Sequence, residues 1–249
     1  MLTLDIALLS EAGGRPYNED AAGHWRNDAQ LCCALADGAG GHGGGDLASR
    51  LVVQEFIARF AALPDKDAPV LGDLIRQTNE ALIRQRRPDS PSADMHSTLV
   101  CLVIDAFGHR AHWAHAGDSR LYWFRQGKLL SRTRDHSVVQ SLMDAGLLGV
   151  GDVRTHPQRS ELSSALGVAS ELFEVTSGAR VPIEAGDVFL LCTDGLWEYL
   201  DEPALEATLS AAPDPNAWLD SLSKRVVAAV AHKSSHDNFS ALTVWTRAV

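Results

Sequence analysis

Four aspartates stand at the ends of apolar runs: Asp37 in LCCALADG, Asp118 in HWAHAGDSR, Asp194 in VFLLCTDG and Asp237 in SSHDNFSALTVW. An Asp-Gly pair taken alone, such as Asp37-Gly38 or Asp194-Gly195, is a turn, since Asp bonds its own backbone and Gly accepts positive φ. Four carboxylates converging at one end of a sheet core are another matter. They repel one another, and burial raises the cost unless a cation compensates. Oxygen-only ligation by bridging carboxylates and water selects a hard ion such as Mg²⁺ or Mn²⁺.

A second group lies near the N-terminus, where Arg15, Asn18, Glu19 and Asp20 fall in RPYNED. Arginine offers a fixed fork of donors suited to bidentate capture of a phosphate, although the same cluster also suits a surface turn with a local ion pair. DGAGGHGGGD is a glycine-rich turn where backbone can approach an ion or ligand closely, and it matches neither GxGxxG nor GxxxxGK[ST]. His109, His112 and His115 suggest a zinc site, but residues three apart on a strand point to opposite faces, so they read as ordinary surface or core histidines. Cys32, Cys33, Cys101 and Cys192 all lie in apolar runs. Their spacing suits neither a disulfide framework nor a CxxC clamp, and no cysteine sits in a phosphate loop as a nucleophile.

These groups must be positioned by strands and helices that the patterning marks out. Strands are expected at 4–9, 31–36, 97–105, 111–116, 121–125, 188–193 and 239–246. Leu47, Leu51, Phe56 and Phe60 recur at helical spacing within Asp46 to Leu63, and Leu71 to Leu82 marks a second amphipathic helix. Further helices are expected over 137–145, 203–209 and 216–232, with loops at 64–69 and 87–94. Grouped helices beside hairpin-like strands favour an α+β fold over a βαβ repeat, and residues 1–249 are expected to form one domain.

With 45% hydrophobic and 22% charged residues the chain supports a sizeable core. A net charge of -10 argues against nucleic-acid binding, and the densest basic run, Arg84, Arg86 and Arg87, reads as the solvated end of a helix. The N-terminus lacks a basic n-region and no apolar run reaches bilayer-spanning length, so a cytoplasmic protein with no membrane partner is expected.

Taken in order, RPYNED, DGAGGH, GDSR, TRDHS, CTDGLW and HDNFS resemble the motif series of the metal-dependent protein phosphatases, the type 2C family, in its compact stand-alone bacterial form. The resemblance runs from Arg15 to Ser240 and implies a four-layer α-β-β-α sandwich with two central antiparallel sheets. It implies two core Mn²⁺ or Mg²⁺ ions, with Asp37 bridging them, the Gly38 carbonyl on one, and Asp194 and Asp237 on the other. Glu19 and Asp20 would act through metal-associated water, and Asp118, sharing with Asp194, would hold a third ion. Arg15 would hold the substrate phosphate and Asn238 would orient Asp237. Residues 136–169 would form a flap beside the cleft.

The implied reaction is hydrolysis of phosphoserine and phosphothreonine esters by activated water, without a phosphoenzyme. The implied partners are phosphorylated proteins and an opposing Ser/Thr kinase, with the chain itself a monomer. One departure concerns proton donation: animal members carry His after the Asp-Gly pair, where this chain has Ala39. That leaves His42, His136 or water to protonate the leaving group. A catalytically silent phosphoprotein-binding member and a phosphatase of small metabolites or of an anti-sigma antagonist remain open at this level.

Overall fold

The computed structural model describes residues 1–40, 44–64, 66 and 71–249. His42 and most of the expected loop at 64–69 lie outside the described residues. In chain order the strands are β1 (Leu2–Glu11), β2 (Asp20–Arg26), β3 (Gln30–Ala39), β4 (His96–Ser97), β5 (Leu99–Asp105), β6 (Arg110–Ala116), β7 (Arg120–Arg125), β8 (Lys128–Arg132), β9 (Thr176–Ser177), β10 (Val181–Pro182), β11 (Asp187–Cys192) and β12 (Phe239–Ala248). They form two sheets, one ordered β1-β12-β11-β7-β8 and the other β10-β6-β5-β3-β2, with β4 added on β3 and β9 on β6. Every pairing is antiparallel, and β1 pairs β12 along its full length from Leu2↔Ala248 to Glu11↔Phe239.

The period of two explains why the central strands read as unbroken apolar runs. On β3, Cys32, Ala34 and Ala36 pack toward α1 (Gly44–Ala62) and α2 (Leu71–Gln85), against Val52, Phe56, Phe60 and Ile75. The alternate residues Leu31, Cys33 and Leu35 face the other sheet, meeting Phe189, Leu191 and Leu242. β11 does the same in the second sheet: Phe189 and Leu191 point inward, while Val188, Leu190 and Cys192 pack outward on α4 (Asp194–Trp197), α5 (Glu202–Ala211) and α6 (Pro215–Val230) through Trp218, Leu222 and Val226. Three apolar layers separate four structural layers, the expected α-β-β-α sandwich.

Helix ends follow their capping chemistry. Asp214 and Asp201 accept from the backbone N–H groups of Ala217 and Ala204, each at 2.9 Å, with proline in the first turn of α6 and of α5. Ser137 caps α3 (Val138–Asp144) through the Gln140 N–H. Four strands lie where none was expected, β2, β8 and the two-residue β9 and β10. β2 carries Gly23 with mixed burial, and β8 is short and half-exposed, so neither of these shows a clean alternation. Antiparallel pairing places the C-terminal ends of β3, β6 and β11 and the N-terminal ends of β2, β7 and β12 together at one end of the sandwich, which fixes where the acids meet.

Candidate metal centre and catalytic pocket

Asp37, Asp118, Asp194 and Asp237, together with Glu19 and Arg15, line one cavity of about 290 Å³ at that end. Its far wall comes from Ser160, Leu162 and Ala165, inside the segment 136–169.

Asp37 ends the apolar run of β3 and is held by its backbone. Its N–H donates to Thr98 Oγ1 at 2.9 Å, and its carbonyl accepts from the Thr98 N–H at 2.8 Å and from Ser97 Oγ at 3.0 Å. Thr98 Oγ1 is in turn tied to Ser119 Oγ at 2.7 Å, which links the Asp37 and Asp118 turns. Gly38 follows because the chains crowd there. A Cβ at this position would stand 1.9 Å from the Gly45 carbonyl oxygen, and one at Gly45 would stand 2.5 Å from Glu19 Oε1. The close approach lets the Gly38 N–H donate to the Glu19 carbonyl at 3.0 Å and brings the Gly45 amide, at the start of α1, to the Glu19 carboxylate.

The electrostatics of the cavity are those of crowded like charges. Burial pushes the Asp37 carboxyl well above its ordinary range, and the charges of Asp194, Asp20, Asp118 and Asp237 push it further. Asp194 is pushed up to about 7 by burial and by Glu198 and Asp237, against the pull of hydrogen bonds with Asp37 and the Gly195 amide. Both are partly buried and line the cavity. Asp118 is raised well above its ordinary value by burial, then by Asp194 and Asp135. Asp194 Oδ1 is buried with no hydrogen-bond partner among the described residues.

Three neighbouring acids whose carboxyls are pushed up, Asp37, Asp118 and Asp194, together with a buried orphan carboxylate oxygen, suit a hard divalent cation. Among the described residues, no group of three or more His, Cys, Asp or Glu side chains is by itself placed to hold a metal ion. Ions held here would therefore complete their shells with water and phosphate oxygens, as Mg²⁺-type ions do.

The remaining expected site residues take individual places. Asp237 is half-exposed and pairs with Arg15 at 3.0 Å. It is oriented by the backbone N–H of Asn238, at 2.9 Å, and not by that residue's side chain. The Asn238 amide instead staples the N-terminal loop: Nδ2 donates to the Ala12 and Tyr17 carbonyls and Oδ1 accepts from the Glu19 N–H. Asp20 does not line the cavity. It faces inward, opposite Asp37 in the β2–β3 register, and Oδ2 accepts from Thr193 Oγ1 at 3.0 Å; burial pushes it up to about 7.

His136 also turns away from the cavity. It stacks on buried His115 with ring centroids 4.7 Å apart, while Nδ1 accepts from the Gly117 N–H. His109 lies at a turn and His112 bonds Ser177 Oγ, so the three histidines of the strand do not come together. Arg86, read from sequence as a solvated helix end, instead reaches the Met95 carbonyl and His96. His96, which the sequence reading passed over, is the histidine that lines the cavity among the described residues; its ring nitrogens face Asp94 and Arg86.

A four-layer sandwich of two antiparallel sheets with a carboxylate centre at one end defines a metal-site protein built for oxyanion chemistry. The Protein phosphatase 2C family model matches residues 12–231. The chain is 40% identical over 215 residues to the serine/threonine protein phosphatase PstP of Mycobacterium tuberculosis, covering 83% of this chain and 39% of that protein. It is 32% identical over 203 residues to the serine/threonine phosphatase stp of Listeria monocytogenes, covering 79% of each. The solved structure of the catalytic domain of PstP in complex with two manganese ions superposes with a TM-score of 0.77 at 28% identity over 100% of both chains. The chain belongs to the protein phosphatase 2C family, and it spans about two fifths of the length of its M. tuberculosis relative.

Proposed function

We propose that this chain is a metal-dependent serine/threonine protein phosphatase, hydrolysing phosphoserine and phosphothreonine esters on proteins with Mn²⁺ or Mg²⁺. The carrying observation is the single cavity in which Asp37, Asp118, Asp194 and Asp237 converge with raised or crowded carboxyls while Arg15 stands at the rim. The names of the relatives and the manganese-bound catalytic domain of PstP support this reading.

Asp37, the Gly38 carbonyl, Asp194 and Asp237 would hold two core ions, and Asp118 with Asp194 a third. Bound there, such ions supply a nucleophilic water at neutral pH and offset charge on the phosphoryl oxygens. Arg15 provides the fixed donor fork for the phosphate. It pairs with Asp237 at the cavity rim, within reach of a phosphate that would enter there. Glu19, anchored on the Gly45 amide and lining the cavity, would act on the ions through water. Asp20, held by Thr193 behind Asp37, supports that residue rather than meeting solvent. The segment 136–169 narrows one wall and so selects which phosphopeptides enter. The thiols are buried and their pKa values pushed up, which makes them poor nucleophiles. An opposing Ser/Thr kinase is the implied counterpart.

The test is release of phosphate from a phosphothreonine peptide by purified protein with added Mn²⁺ and with EDTA. Release with Mn²⁺, absent in EDTA and in Asp37→Asn, is the expected result. No release with Mn²⁺ on that peptide or on p-nitrophenyl phosphate overturns the proposal.

A further inference from the structure

Trp197 is the last residue of α4, the helix that begins at Asp194, and it meets three parts of the molecule at once. Its indole Nε1–H donates to the Asp118 carbonyl at 2.9 Å. Its ring lies 3.6 Å from the guanidinium of Arg120, which is itself locked to Asp135 by two hydrogen bonds of 2.8 and 2.6 Å. Its own carbonyl accepts from Arg154 Nε at 3.3 Å.

Asp135 and His136 form the root of the 136–169 segment. The His136 N–H donates to the Gly117 carbonyl at 3.0 Å, and the Gly117 N–H donates back to His136 Nδ1. Arg154 lies within the same segment and also donates to the Leu200 carbonyl. Asp118, Arg120, Asp135 and Trp197 are each no more than 6% exposed, so the bonds among them are buried and their directions are constrained. The helix that begins at Asp194 is thereby joined to the backbone of Asp118 through the Trp197 indole, while Arg120, paired with Asp135, lies over its ring and Arg154 bonds its carbonyl.

We propose that Trp197 is a positioning residue: it fixes the Asp118 carboxylate at the distance from Asp194 that a shared cation requires and couples that distance to the seating of segment 136–169. This inference rests on the metal-dependent reading above. The neighbours of Asp118 in the chain are held elsewhere, Gly117 by His136 and Ser119 by Thr98. The indole bond is thus the contact that ties this turn to α4.

The experiment is Mn²⁺ titration by calorimetry in the absence of substrate, on the unmodified chain, Trp197→Phe and Trp218→Phe. Phenylalanine keeps an aromatic ring against Arg120 but removes the N–H together with the five-membered ring of the indole, a loss of volume that Trp218→Phe reproduces. Trp218 is the control, since it is fully buried and loses an equivalent bond, Nε1 to Thr208 Oγ1 at 3.0 Å, far from the cavity. The expected result is that Trp197→Phe weakens the weaker class of Mn²⁺ site roughly 3- to 10-fold, as loss of one buried hydrogen bond implies. Trp218→Phe should match the unmodified chain within twofold.

Equal affinities in all three proteins, or equal weakening in both variants, overturn the inference. If the unmodified chain binds no Mn²⁺, the functional reading itself fails, and that outcome is distinct from the others. Should Trp197→Phe not fold, the unmodified chain decides alone: on addition of Mg²⁺ the assigned indole ¹⁵N–¹H resonance of Trp197 should shift while that of Trp218 stays, and an unmoved Trp197 signal sinks the proposal.

Discussion

Removing one carboxylate from the cavity should stabilise the protein when no metal is present. Asp194 has an ordinary value of 3.8, and in the fold it is pushed up to about 7 by burial and by Glu198 and Asp237. A group whose folded value lies above its unfolded one favours the fold in its protonated form. Its share of stability is therefore complete below about pH 4 and is lost as pH rises through about 7. A displacement of roughly three pH units at about 1.4 kcal/mol each gives an upper limit near 4 kcal/mol at pH 8, and water in the cavity screens this toward about 2.

Asparagine has the same shape, can exchange a hydrogen bond with Asp37 as the carboxyl does, and can accept from the Gly195 amide. Urea denaturation in EDTA should find Asp194→Asn more stable than the unmodified chain by about 2 to 4 kcal/mol at pH 8, with the difference closing by about pH 4. With Mn²⁺ the order should reverse at pH 8, because only the unmodified chain gains the binding energy of a complete site. An Asp194→Asn protein that is less stable at pH 8 in EDTA, or a difference that is the same at both pH values, refutes the like-charge account of the cavity.

Arg15→Ala should leave Mn²⁺ affinity intact or slightly improved, since its half-exposed ion pair with Asp237 competes with the cation, while kcat/KM on a phosphopeptide falls about 10- to 100-fold. Steady-state kinetics alongside calorimetry separates the two effects. Gly38→Ala should cost about 1 to 3 kcal/mol or more in chemical denaturation and abolish turnover, because its Cβ would meet the Gly45 carbonyl oxygen at 1.9 Å. Asn238→Ala, which frees the Ala12 and Tyr17 carbonyls and the Glu19 amide, should lower stability by about 1 to 3 kcal/mol and raise the protease sensitivity of residues 12–19. Phe56→Ala, fully buried between β3 and α1, sets the scale of a pure packing loss at about 3 to 5 kcal/mol with metal affinity unchanged.

The parts of this fold that show in the sequence are those in which one physical signal dominates. β3 and β11 are apolar on both faces because each is the middle of a sandwich, and an Asp at the end of such a strand stands out against it. That contrast makes Asp37 and Asp194 legible, and the antiparallel order then brings Asp237 beside them. β2 and β8 escaped because Gly23 and half-exposure blur their alternation, and the adjacency of Glu19 and Asp20 in one motif concealed that neighbouring residues face opposite ways. Glu19 reaches the cavity and Asp20 reaches Thr193.

The residues that do not show are those whose role depends on a partner distant in sequence. His136 is exposed to no pattern that would reveal its bond to Gly117, and Thr98 carries no signal that its hydroxyl meets the Asp37 amide. Trp197 is the extreme case: nothing in CTDGLW marks it out, and its burial is that of any core aromatic. What distinguishes it is a single N–H aimed at the backbone of Asp118, 79 positions away. Backbone carbonyls are the same in every residue type, so a bond to one leaves no mark in the sequence at the accepting end. A carboxylate centre can therefore be found from its acids alone, whereas the groups that set the spacing of those acids emerge only once the chain is folded.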